Sequence, residues 1–211
     1  MSTAQNTSPP RPRVMPGAGT EWAARQRLAR VPIDQPHGPF GRLLGWVGRR
    51  MYGQPLDNAH AMAFNRRVLF ATFAYERRVA KFNRLDPVLK ALATMATAAE
   101  IGCAWCIDFG YHLARNEGLD LAKLAAIPNW READNLSDLE KRVIEFAVAA
   151  TRTPAEVTDA MVAPLRAELG EDGLVELAMI VAIENQRSRF NSALGLVSQG
   201  FSATCQLPST E

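Results

Sequence analysis

The chain is expected to be all-α, and three observations carry that expectation. Apolar residues recur at steps of three and four rather than two. Helix-start residues stand immediately before several of those apolar runs. No stretch alternates polar and apolar residues in the manner of a half-buried strand.

The elements follow in order. Residues 1–20 are rich in Pro, Ser, Thr and Gly without periodicity, and read as a disordered arm. Residues 21–58 form a strap. Within it, 38–52 has the spacing of a short amphipathic helix with Phe40, Leu43, Leu44, Val47 and Met51 on one face. Residues 59–82 read as one longer helix through Phe64, Val68, Ala71, Tyr75, Val79 and Phe82. Asp86 then caps a helix that has Pro87 at its first position and runs to about Glu100. Gly102 is a break. A second helix starts near Cys103 and ends near Gly118.

Leu121–Ile127 is a short helical piece ended by Pro128. Ser137 and Glu140 are spaced as a capping box ahead of Leu139, Val143, Phe146, Ala147 and Ala150. Thr158 caps a helix to Leu169, with a kink expected at Pro164. A last long helix spans roughly 173–194. Its centre, Leu177 to Ile183, is apolar all round and is expected to be covered on every side, by its own fold or by a second subunit. The body of the domain is 59–200, and 201–211 is a tail.

Composition narrows the function. The net charge is only +2, with Lys and Arg scattered among acids, so a nucleic-acid partner is not expected. No run of 18 apolar residues exists, and the first 20 lack the apolar stretch of a secretory signal. The expectation is a cytoplasmic protein with no membrane partner. Three cysteines, two of them close together, do not make a secreted disulfide framework.

Chemistry concentrates in Glu100-Ile-Gly-Cys103-Ala-Trp-Cys106-Ile-Asp108-Phe-Gly110-Tyr-His112. Three residues of helix turn the chain by about 300°, which puts both thiols on one face. The first helical turn leaves amides unpaired, and these together with the dipole stabilise a thiolate. Such a pair can cycle between dithiol and disulfide, and one thiol can resolve a sulfenic acid formed on the other. Zinc would need two further ligands, and only Cys205 and three scattered histidines are available, so no metal or cofactor is expected. Two inert core cysteines are the plain alternative. A thioredoxin fold is excluded, because the segment before the motif is helical rather than a strand.

Ile101 to Gly110 resembles the carboxymuconolactone decarboxylase superfamily, in its alkylhydroperoxidase D-like (AhpD-like) branch. The late stretch Val181-Ala-Ile-Glu-Asn-Gln-Arg-Ser-Arg-Phe-Asn191 is similar too. The resemblance implies an all-α bundle built around a helical hairpin and a homo-oligomer, commonly a trimer or hexamer. It also implies peroxidase or disulfide-reductase activity, on a small hydroperoxide with a dithiol reductant. It makes Cys106 the peroxidatic thiol and Cys103 the resolving thiol. The branch's proton relay is missing: Ala91, Trp105 and Gly110 stand where a Glu and two His are found, and His112 is rotated away from the thiol face.

Two carboxylates are candidates to replace that relay. Glu184, seven residues past Leu177, continues a buried face and is a candidate base for Cys106. A structural ion pair with Arg187 or another arginine is its alternative role. Glu100 is a candidate neighbour of Cys103. Two other functions stay open: a non-redox member of the same fold acting on a lactone-like metabolite, and an oligomer that binds partners without turnover.

Overall fold

The computed structural model describes residues 20–34 and 38–202. The arm at 1–20, except Thr20, and the tail beyond residue 202, with Cys205, lie outside the described residues. Among those described, the chain forms nine α-helices and one 3-10 turn, with no strand. The all-α architecture expected from the sequence is the one found.

In chain order the helices are α1 (Trp22–Leu28), α2 (Gly38–Tyr52), α3 (Asp57–Met62), α4 (Arg66–Val79), α5 (Pro87–Ile101), α6 (Ala104–Asn116), α7 (Leu121–Ala125), α8 (Asp138–Thr151) and α9 (Asp159–Ala193). The 3-10 turn covers Ile127–Asn129, at Pro128. The core is the packing of α5 against α8, α9 and α6. Its centre is fully buried: Leu92, Ala93, Val143, Ile144, Leu165 and Leu177. Burying each large aliphatic side chain stabilises the fold by about 1.5–3 kcal/mol.

Local chemistry sets the boundaries. Asp86 accepts from the Val88 amide and Pro87 opens α5. Ser137 and Glu140 form the reciprocal capping box of α8, at 3.3 and 2.8 Å. Thr158 caps α9. Buried Glu176 accepts from the Arg84 and Leu85 amides and pairs with Lys90 at 2.7 Å. This fixes the α4–α5 turn against α9.

Three expectations are corrected. The helix expected over 59–82 is two, α3 and α4, because the Asn65 side chain accepts from the Arg67 and Val68 amides and starts a new helix. Phe64 and Val68 are therefore exposed. In α2 the buried face is Gly41, Gly45 and Gly48, and Leu43, Trp46 and Met51 point outward. The helix packs backbone to backbone there: a Cβ on Gly48 would stand 3.0 Å from the Pro55 Cα. In α9 the non-helical residue is Gly170 (φ 70°, ψ 176°), not Pro164. Leu177 to Ile183 is not covered all round by this chain, since Ala178, Met179 and Ala182 are exposed, which leaves the second subunit as the cover expected from the sequence.

Candidate redox site

The cysteine pair sits where α5 turns into α6. Gly102 adopts the left-handed conformation (φ 79°, ψ 31°) that ends α5. The Cys103 amide reaches back to the Ala98 carbonyl at 3.0 Å. This closes the link in two residues and makes Cys103 the N-cap of α6.

The two sulfurs are at disulfide distance, with Cα atoms 5.3 Å apart. Each has its own donor. Cys103 Sγ accepts from the Cys106 amide at 3.2 Å, as an N-cap should. Cys106 Sγ accepts from Asn191 Nδ2, on the last turns of α9, at 3.3 Å. Both cysteines are buried, Cys103 at 2 % and Cys106 at 7 % exposure.

Glu184 lies on the same face of α9 as Asn191, two turns earlier, about 10 Å along the axis. It is buried, accepts from Ser188 Oγ at 2.7 Å and stands 3.5 Å from Arg187. Arg187 is engaged mainly by Glu76, which accepts from both its Nε (2.8 Å) and its Nη2. Two carboxylates thus share one guanidinium. Burial outweighs that half-share and pushes Glu184 up to about 7. Glu100, on the last turn of α5, pairs with Arg152 at 3.4 Å.

The sites of the missing relay are filled by packing. A Cβ on Gly110 would lie 2.3 Å from Met95 Sδ, so a thioether occupies the space a histidine would need. Ala91 is half-buried against the core. Trp105 is buried, stacked on Phe109 at 4.9 Å, and donates from Nε1 to Gln199 Oε1 at 2.8 Å. His112 stacks on Phe109 and contacts Asn116.

Asp108 and Asn191 are the residues that sequence reasoning missed. Asp108, which the sequence shows only as part of the cysteine motif, is buried and clamps the segment 198–202. Its Oδ2 accepts from the amides of Gln199, Gly200 and Phe201 and from Ser198 Oγ, and its Oδ1 from the amide and Oγ of Ser202, all at 2.6–3.1 Å. Gln199, so held, also accepts from the Asp57 amide at 2.9 Å and donates to the Pro55 carbonyl at 3.0 Å. One carboxylate two residues past Cys106 therefore ties the C-terminal segment, Trp105 and the α2–α3 link together.

Comparison with known proteins places this arrangement. The carboxymuconolactone decarboxylase family model matches residues 67–149, from α4 to the end of α8. The uncharacterized protein YnjA of Escherichia coli K12 is 30% identical over 185 residues, covering 86% of this chain and 95% of YnjA. The chain belongs to the carboxymuconolactone decarboxylase family. Among solved structures, the AhpD core of a peroxidase-related protein from Ralstonia eutropha JMP134 superposes with a TM-score of 0.69 at 19% identity, over 81% of this chain and 92% of that one. The debrominase Bmp8, in complex with 2,3,4-tribromopyrrole, gives 0.71 at 18% identity, over 83% and 96%. At these identities the superpositions establish the shared fold for this family member. Among the described residues, no helix is long and apolar enough to cross a membrane.

Proposed function

We propose that this carboxymuconolactone decarboxylase family member is a thiol-dependent peroxidase or disulfide reductase that cycles Cys103 and Cys106 between dithiol and disulfide. The observation that carries the reading is two sulfurs at disulfide distance at a helix start, each with a hydrogen-bond donor of its own. Cys106 thiolate attacks the terminal oxygen of a small organic hydroperoxide. The S–O bond forms, the O–O bond breaks, and the alkoxide leaves and takes up a proton. Cys103 then attacks the Cys106 sulfenic acid, the disulfide forms and water leaves. A dithiol reductant restores the pair by two exchange steps.

Glu184 is the acid–base candidate: a buried carboxyl raised to about 7, two helical turns back along α9 from Asn191, whose proton would reach the sulfur through groups between them. Glu100, three residues before Cys103, is the second acid–base candidate. The test is turnover of an organic hydroperoxide with a dithiol donor. Cys106→Ser should abolish it, and Cys103→Ser should leave a trappable sulfenic acid on Cys106. Unaltered turnover in Cys106→Ser removes the proposal.

The likeness to Bmp8 favours a second electrophile for the same sulfur, a carbon–bromine bond. Cys106 would take the bromine, the carbanion a proton, and Cys103 would expel bromide as the disulfide forms. Bromide release from a brominated pyrrole in the same assay decides between them.

The chain is also inferred to assemble with itself, as a trimer or hexamer. Trp46, Phe64, Phe70 and Val175 are each more than half exposed, and Met179 nearly so. A second copy of the chain covering such groups would remove them from water. Light scattering should give a mass three or six times that of the chain, and a monomer at micromolar concentration would sink the inference.

A further inference from the structure

A helix-start cysteine pair has a built-in preference, and here it favours the wrong sulfur for the reading above. The unpaired amides of the first turn of α6 serve Cys103, whose Sγ accepts from the Cys106 amide. Helix geometry alone would therefore leave Cys103 as the thiolate and Cys106 as the thiol. Something outside α6 has to reverse that order if Cys106 is to attack a peroxide.

Asn191 is placed to do so. It is 2 % exposed, comes from a different helix, and aims an amide N–H at Cys106 Sγ from 3.3 Å. A disulfide sulfur is a weak acceptor. A thiolate is a charged one, and hydrogen bonds to charged groups are roughly twice as strong as neutral ones. The contact therefore strengthens when the pair is reduced. The same amide carries a second signal: among the described residues Asn191 Oδ1 is buried with no donor. An orphaned acceptor of this kind costs about 1–3 kcal/mol and points to a donor that is present only in another state. A sulfenic acid on Cys106 supplies one, its O–H.

Asp108, two residues past Cys106, is saturated by donors from 198–202. Glu184 stands two helical turns back along α9 from Asn191, with Ser188 and Arg187 as its own donors.

We propose that Asn191 is the positioning residue that selects Cys106 as the attacking sulfur, donating to its thiolate through Nδ2 and accepting from the sulfenic acid O–H through Oδ1. The proposal rests on the dithiol reading of the pair and adds the group that orders its two sulfurs.

The test uses the full chain reduced with a dithiol, and reads iodoacetamide alkylation of Cys106 and Cys103 separately, by peptide mass spectrometry, against pH. Asn191→Ala should slow Cys106 alkylation at neutral pH by about tenfold and move its midpoint up by about one pH unit. Asn191→Asp, nearly isosteric, should slow it further, because an anion then faces the thiolate. Cys103 should then become the faster-alkylated sulfur, because the first-turn amides of α6 are left to decide the order. If Asn191→Ala does not fold, Asn191→Asp decides alone. A Cys106 profile unchanged in folded Asn191→Asp overturns the proposal, even if Cys106→Ser abolishes hydroperoxide turnover and the peroxidase reading stands. A profile that shifts as expected, in a protein whose Cys106→Ser variant turns over normally, upholds Asn191 and removes the peroxidase reading instead.

Discussion

Asp108 and Glu184 are both 2 % exposed, and the fold treats them in opposite ways. Asp108, at the C-terminal side of the cysteine pair, receives six hydrogen bonds from four backbone amides and two hydroxyls. Glu184, on the far side along α9, receives one hydroxyl and half a guanidinium that Glu76 already holds. Burial by itself does not mark a carboxylate as reactive. What separates the two is the supply of donors: a surplus makes Asp108 a structural pin, and a shortage leaves Glu184 able to hold a proton near neutrality.

The largest effect expected from this contrast is at the saturated end. Asp108→Ala should lower stability by about 3–5 kcal/mol, because it leaves buried donors without an acceptor and releases 198–202 from α6. Chemical denaturation gives the loss, and limited proteolysis should begin within that segment. Asp108→Asn should recover only part of it, since an amide NH2 then faces donors. A loss below about 1 kcal/mol in Asp108→Ala would mean that water replaces the carboxylate readily, and the contrast with Glu184 would collapse.

That contrast was only half visible in the sequence. Glu184 was legible because it continues, at seven-residue spacing, a stripe that starts at Leu177. The hairpin was legible because Asp86, Pro87 and Gly102 act on their immediate neighbours. Asp108 was not, because its partners lie at least 90 residues away and are amides and hydroxyls of a segment whose composition reads as loop. Asn191 was hidden for the same reason: an asparagine among Arg and Phe carries no signal until α9 and α6 are side by side. The α2 face was displaced by a different cause: Phe40 and Leu44 do pack on the core, while Leu43 and Met51 do not. Its three buried glycines let backbones approach, so contact there is made without side chains, and an apolar-periodicity argument counts only side chains.

The smaller effect lies at the undersupplied end and is read through pH. Glu184 is raised from its ordinary 4.5 to about 7, so between those values the folded chain binds a proton that the unfolded chain does not. That contribution to stability must then fall as pH rises through the window and level off above it. Asp57, raised by burial to about 6 against the pull of Arg25, acts with the same sign but is largely spent by pH 6. His60 and His112, lowered by burial, act with the opposite sign between pH 6 and 8, so Glu184 is isolated by the difference between two proteins. Over that interval the native protein should lose about 1 kcal/mol of unfolding free energy relative to Glu184→Gln. If the difference stays flat from 6 to 8, Glu184 is ionised throughout as the partner of Arg187. The two carboxylates would then differ in neighbours but not in kind, and the proton for the departing alkoxide would have to come from another group.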